Sequence, residues 1–432
     1  MSHPLQFSPT LPNSLPGEDD ITRVELPNGI VVLIRPNFNS LSVVLNGYLQ
    51  VGSLFDPPEK LGLASFTANC LLLGTRTFDF NTLYELLESA AASLSFDGGT
   101  HITSFGGRSL AEDFDMLCKI FASALREPTF PADQVERKRA QVLTGLVLRS
   151  QDTAEMASLA FDEIVFADHP YRFPEEGTTE TVEQISLEDL VNFHRRHYGP
   201  RGMVIVIVGA INPSEALAIL SEHLADWQNP DQPLPPELPP LHPLTETVQK
   251  KVFIPGKPQV DLLIGSTGPR RNDPQYMSAA IGNSILGQFG LMGRIGDAVR
   301  ERAGLAYYAY SSLNSGIGPG SWTVAAGVAP QNVERAIALI RQEIQRFVEE
   351  TVSEEELGDS QANFIGRLPL SLESNMGVAY ALGNLERYGL GLNYYRQYAD
   401  LVRSVTREQI LETAQQYLDP QRLAIAIAGS LE

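Results

Sequence analysis

The chain has 432 residues, 43% of them apolar and 19% charged, with a formal net charge of −20 and a pI near 4.8. That length exceeds one ordinary core, and the negative field repels phosphate backbones while attracting basic peptides or basic partners. The only cysteines, Cys70 and Cys118, lie inside apolar segments and give neither a disulfide framework nor a zinc cluster.

In chain order, residues 1–22 lack both a basic n-region and an apolar core, so they read as a flexible arm rather than a secretory signal. No apolar run reaches the roughly 20 residues that span a bilayer, and a cytoplasmic, reduced protein is expected. SVVLNGYLQVGS predicts a strand, Leu61–Leu73 a helix and TLYELLESAAA a second helix. SLSFDGGTHITSFGGRSL predicts two strands around Gly98 and Gly99, and Pro131–Arg149 is helical. His194 and His197 have a helical spacing that suits a metal, but no carboxylate is placed to complete a site, and a solvated helix end is expected.

Between Asn229 and Leu244 the sequence NPDQPLPPELPPLHPL excludes both helix and central strand, because proline removes backbone donors and fixes φ. A stiff linker over 229–245 is predicted, dividing the chain into halves at 23–228 and 246–432. The halves resemble each other. ISLEDLVNFHRRHYGPRGMVIVIVGA, Ile185–Ala210, aligns without gaps on VTREQILETAQQYLDPQRLAIAIAGS, Val405–Ser430, at an offset of 220. Each copy opens on a capping signal, Ser186 with Asp189 and Thr406 with Gln409, then runs as a helix, turns at proline and enters a strand. The fold class is therefore α+β: two homologous domains, each a mixed sheet flanked by helices, joined by a proline-rich strap.

Two stretches carry chemistry. GLASFTANCLLLGT, Gly62–Thr75, is a helix with a Gly-Thr stop, and by spacing alone such a helix is core. LGQFGLMGRIGDAVRERAGLAYYAYSS runs from Leu286 through a glycine-rich loop and a helix to a strand. Its glycines can cradle an anion, but the Walker lysine and following Ser/Thr are missing. Taken singly, Arg300 is a dipole-favoured charge near a helix end, and Tyr307, Tyr308 and Tyr310 are packing aromatics on a strand.

Together these stretches resemble the insulinase/pitrilysin family of inverted-zincin peptidases, in particular its half-length members akin to processing-peptidase subunits. The resemblance runs from about Arg23 to the end. Active members read G-x-A-H-x-x-E-H-x-x-x-x-G-T, where two histidines bind zinc and the glutamate activates water. Here Gly62, Ala64, Phe66, Leu71, Gly74 and Thr75 keep the frame, while Ser65, Ala68 and Asn69 occupy the functional positions. The family's third ligand, a glutamate about 76 residues on, falls at Gly145. The resemblance thus implies a degenerate site with no metal or other cofactor in this chain. R-E-x-x-G-L-A-Y, by contrast, is intact from Arg300 to Tyr307, and Gly304 is suited to a left-handed helix cap.

By that resemblance Arg300 and Tyr307 act in trans, completing the zinc site of an H-x-x-E-H-bearing partner in a clam-like heterodimer. Gly287, Gly290 and Gly293 would guide an unfolded peptide or presequence. The peptide would add as a strand at about Ser93–Ser104, where Ser93 and Ser95 are the candidate contacts. Tyr308 and Tyr310 fall on the opposite strand face. The alternative is a catalytically inactive structural or peptide-binding protein of the same fold.

Overall fold

The structure, a computed structural model, describes residues 15–290 and 293–430. Of the arm expected over 1–22, residues 1–14 lie outside the described residues. From Leu15 the chain is held rather than loose: Leu15 is buried, its carbonyl accepts from Arg396 Nε at 3.1 Å, and Asp20 pairs with Arg35 at 2.8 Å.

Strands β1 (Thr22–Glu25), β2 (Val31–Pro36), β3 (Ser42–Leu49), β4 (Ser93–Gly98), β5 (Thr103–Leu110) and β6 (Val204–Gly209) form one sheet in the order β1-β2-β6-β3-β5-β4. Strands β7 (Val248–Phe253), β8 (Val260–Gly268), β9 (Ala306–Asn314), β10 (Gly320–Val328) and β11 (Ala424–Gly429) form the second, in the order β7-β11-β8-β10-β9. The strand closing each repeated segment occupies the same place in both. β6 runs parallel to β2 and antiparallel to β3, and β11 runs parallel to β7 and antiparallel to β8. The helices preceding them, Leu187–His197 and Arg407–Tyr417, start on the expected capping boxes.

β6 and β11 are buried along their whole length, because each half lends the other a helix. Helix Thr153–Val165 crosses from the first half onto β7, β8 and β11. There Ala157, Ala160, Phe161 and Ile164 meet Ala424, Ala426 and Ala428. Helix Asn375–Tyr388 returns from the second half onto β3 and β6, setting Val378, Ala379, Leu382 and Leu385 against Val44, Tyr48, Val204 and Val206. The opposite sheet faces carry the principal cores, with Ile205 and Ile207 in one and Ile425 and Ile427 in the other. LAIAIAG is thus read by both faces: its alanines let a helix approach closely and its isoleucines fill a core.

The strap carries neither helix nor strand from Asn229 to Leu244, and it is pinned at its start. Gln232 Oε1 accepts from Arg201 N at 3.0 Å, and Asn229 Nδ2 donates to Tyr198 O at 2.8 Å.

Candidate functional site

The helix expected over Leu61–Leu73 is shorter, Leu63–Cys70. Gly62 enters it at φ +91°, and a Cβ there would lie 2.5 Å from Glu176 O, so the position requires glycine. The half-buried Asp56 carboxylate accepts from Gly62 N and Ala64 N, both at 2.8 Å, and caps the helix; desolvation pushes its carboxyl up to about 7 against these donors.

On this helix Ser65 and Ala68 are 6% and 2% exposed. Gly98 of β4 presses on Ser65, where an added Cβ would stand 2.7 Å from Ser65 Cα. The Asn69 amide is already used, its Nδ2 donating to Ser65 O at 2.9 Å. Helix Ala132–Arg149 lies alongside, fixed by buried Val135 and Leu146 and by Arg139, whose guanidinium stacks 5.1 Å from the Phe66 ring centroid. Gly145 on that helix is exposed with open space around it. A hydroxyl, a methyl, a committed amide and a bare backbone do not fit zinc, which takes imidazole, thiolate or carboxylate. Among the described residues no three His, Cys, Asp or Glu side chains gather as a metal cluster.

His194 and His197 do not lie on a solvated helix end. His197 is 9% exposed and packs its ring against Phe55 and Phe193, with centroids 4.6 and 4.5 Å away. His194 Nε2 bonds Leu125 O at 2.8 Å. Docking of this last helical turn under helix Phe114–Arg126 explains the difference, and burial pushes both imidazoles down to about 4. The thiols of Cys70 and Cys118 are buried and free, and burial raises the pKa of both.

In the second half, the π-helical turn Gly296–Arg302 ends on Gly304 at φ +64°, with Gly304 N donating to Arg300 O and Leu305 N to Val299 O. The chain then enters β9 through a bulge. Ala306 pairs with Val328 and Tyr308 with Gly327, which leaves Tyr307 without a partner on β10. A bulge re-aims the extra residue. Tyr307 is 67% exposed and its hydroxyl makes no hydrogen bond among the described residues. Arg300 pairs only loosely with its neighbour Glu301, at 3.5 Å. Among the described residues neither side chain makes a hydrogen bond or an ion pair with the first half.

Beyond the bulge, Tyr308 and Tyr310 turn to the other face, as expected, but they do more than pack. Tyr308 Oη donates to buried Asp261, which also accepts from Thr153 and from Gln259 Nε2 at 2.8 Å. A cleft of about 280 Å³ opens there between helix Thr153–Val165 and the sheet, lined by Glu155, Asp162, Asp261, Tyr308 and Tyr310. Burial pushes the Asp162 carboxyl up to about 7. Sequence reasoning missed Asp261; its signal was a lone acid inside the apolar run Val260–Ile264.

The glycines of the loop divide. Gly287 is buried at a helix end against Ser311 of β9, so it is a packing position rather than an open one. Gly290, at φ +64°, has open space around it, and Gly293, at φ +63°, backs onto Ile285 O; Leu291 and Met292 lie outside the described residues. At the other candidate edge, β4 closes its sheet with Ser93 and Ser95 exposed. Ser104 belongs to β5, which is paired on both sides, so only the Ser93–Gly98 part of the expected stretch is an edge.

A duplicated pair of mixed sheets that exchange helices, one carrying a ligandless inverted-zincin helix and the other an Arg/Tyr edge, defines a half-chamber of the peptidase type. Residues 32–168 match the insulinase domain of peptidase family M16, and residues 184–364 match the peptidase M16 inactive domain. The chain belongs to peptidase family M16. An uncharacterized zinc protease of Streptomyces coelicolor is 22% identical over 96% of this chain and 91% of its own. A non-peptidase homolog of Helicobacter pylori is 24% identical over 88% of this chain and 87% of its own. Among solved structures, a peptidase M16 inactive domain from Pseudomonas fluorescens superposes with a TM-score of 0.88 at 24% identity, covering 95% of this chain and 98% of that one. A chain of complex III2 from Candida albicans gives 0.78 at 15% identity, covering 95% and 96%. These structural likenesses speak for the fold alone. Among the described residues no helix is long and apolar enough to cross a membrane.

Proposed function

We propose that this chain is the non-zinc subunit of a two-chain M16 metalloendopeptidase. It would supply Arg300 and Tyr307 to the zinc site of a homologous H-x-x-E-H-bearing partner that cleaves unfolded peptides or presequences. The observation that carries this reading is the bulge at Tyr307. It leaves a phenol open on an edge strand, seven residues after Arg300, in the chain whose own metal helix has no ligands. A phenol can donate to the oxyanion of a tetrahedral intermediate, and a guanidinium can hold peptide carbonyls. Zinc belongs to the partner and no cofactor to this chain. Buried free Cys70 and Cys118 fit a reducing, cytoplasmic compartment. The test is reconstitution: each chain alone is inactive on an unfolded peptide, the mixture cleaves it, and Tyr307→Phe removes the activity while the pair still assembles.

A second reading, a peptide-binding or structural protein without catalysis, is favoured by the Asn69 amide held on its own helix and by the Helicobacter pylori relative that is named a non-peptidase homolog. In that case the reconstituted mixture is as slow as the partner alone.

A further inference from the structure

Where the two halves meet, a cavity of about 500 Å³ lies beneath the proline strap. The turn between β4 and β5 contributes His101 and Ile102, and the end of β3 contributes Tyr48 and Gln50. From the second half come Arg270 after β8, Ile317 between β9 and β10, and Arg387 near the end of helix Asn375–Tyr388. Pro235, Pro236 and Leu238 of the strap close it.

Its two arginines are uncompensated. Neither side chain makes a hydrogen bond or an ion pair among the described residues, although the chain carries an excess of acids, 52 Asp and Glu against 32 Lys and Arg. Arg387 makes only a ring contact, its guanidinium 5.4 Å from the Tyr388 centroid, and its Nε is buried with no acceptor. A charge at a helix C-terminus is favoured by the dipole, but that does not satisfy a buried donor. Glu237, the carboxylate among the described lining residues, is exposed on the strap and pairs with neither arginine. Nearby Glu386 is taken by Arg23 at 2.7 Å. His101 is held in a hydrogen bond with Tyr171, and burial together with the Arg387 charge keeps its imidazole down at about 4, so it is neutral at pH 7.

We propose that this cavity is a carboxylate-binding pocket that takes the C-terminus of a peptide. Two guanidinium groups supply planar donors for a carboxylate. Ile102, Ile317, Leu238 and the proline rings supply apolar walls for the last side chain, and the volume is that of an ordinary small-ligand site. With Glu237 near the mouth, a singly charged carboxylate suits the pocket better than a doubly charged phosphate. The anion chemistry stands on the arginines; the choice of a peptide as its bearer rests on the function proposed above.

The test is calorimetric titration of the intact chain with three probes: an N-acetylated apolar tripeptide acid, the same tripeptide as its C-terminal amide, and inorganic phosphate. The acid binds, and the amide and phosphate bind at least about tenfold more weakly, as expected when charge-assisted hydrogen bonds are lost. Arg387→Gln and Arg270→Gln each weaken the acid roughly 10- to 100-fold with unchanged circular dichroism. Should Arg387→Gln misfold, the exposed Arg270→Gln decides. Equal binding of acid and amide, tighter binding of phosphate, or indifference to the arginine substitutions overturns the proposal. The titration needs no partner, and Tyr307→Phe leaves it unchanged. A failed reconstitution assay and a failed titration are therefore separate results.

Discussion

The side-chain amide of Asn69 donates to the carbonyl oxygen of Ser65, one helical turn away, at 2.9 Å. In the family frame Asn69 stands where a zinc helix would project an imidazole, and here its side chain folds back onto the helix backbone; the downstream position in that frame, Gly145, has no side chain at all. Placing His, Glu and His at Ser65, Ala68 and Asn69 is expected to give only a weak zinc site, since two protein ligands are too few. Adding Gly145→Glu should improve affinity sharply, and the open space there accepts the side chain. Gly145→Ala alone should stabilise the chain by about 0.5–1 kcal/mol, the helix-propensity gain at an exposed site. Zinc titration of the triple and quadruple variants checks the pairing of the two helices; equal affinities would show that Gly145 does not face the Ser65–Asn69 turn.

Tyr307→Phe removes a hydroxyl that makes no hydrogen bond among the described residues, so folding is expected to stay within about 0.5 kcal/mol of the parent, as surface substitutions usually do. In the reconstituted peptidase the same change should lower kcat by roughly 10²- to 10³-fold, the usual effect of losing one oxyanion donor. Arg300→Ala should weaken peptide binding and turnover together. Parental rates from intact assemblies carrying either substitution would leave only the scaffold reading.

Tyr308→Phe should behave in the opposite way. Its hydroxyl is one of three donors to buried Asp261, and removing it leaves carboxylate capacity unmatched, for a cost of about 1–3 kcal/mol. Tyr310, at 37% exposed, should tolerate phenylalanine. Chemical denaturation of the two variants side by side checks this, and equal stabilities would mean that the Asp261 network carries no energy.

The periodic parts of this architecture were legible in the sequence. The offset of 220 relates capped helices and interior strands that occupy matching places in the two sheets. The unreadable parts are those where a distant element decides burial. Nothing local marks His197 as buried, because the Phe55 ring that covers it comes from 142 residues earlier. Nor does alternation across AYYAY foretell the bulge that frees Tyr307, which depends on the register of β10. The reading of Gly62–Thr75 as an emptied metal helix comes only through the family frame; its apolar residues alone read as core.

Two desolvated groups, half-buried Asp162 and buried His197, should shape the pH dependence of stability at opposite ends. Asp162 is raised from 3.8 to about 7 by burial, so the folded state holds its proton more tightly than the unfolded state. Its contribution is full below about pH 4 and is lost as pH rises through 7. Asp162→Asn should therefore raise the melting temperature at pH 8 and leave it nearly unchanged at pH 4. His197 is lowered from 6.5 to about 4, so acid destabilises through it between those values, by at most about 3 kcal/mol. His197→Gln should flatten that acid limb. Melting curves from pH 4 to 8 check both, and a pH-independent shift in either variant would contradict the assignment.

The exchange of helices predicts that neither half folds alone. Residues 1–228 without helix Asn375–Tyr388 would expose the face of β3 and β6 formed by Val44, Val204 and Val206, and residues 229–432 without helix Thr153–Val165 would expose Ala424, Ala426 and Ala428. Expressed separately, the halves should aggregate or remain unstructured; expressed together, they should recombine without the strap. Phe161→Ala tests the same coupling within the intact chain. Phe161 is 1% exposed and belongs by sequence to the first half, yet its truncation, at about 3–5 kcal/mol, should loosen the second sheet. Hydrogen exchange should then lose protection in β8 and β11 before β3 and β6, and Leu382→Ala should reverse that order. If Phe161→Ala loosens β3 and β6 first, the two halves are energetically separate and the exchanged helices only decorate them.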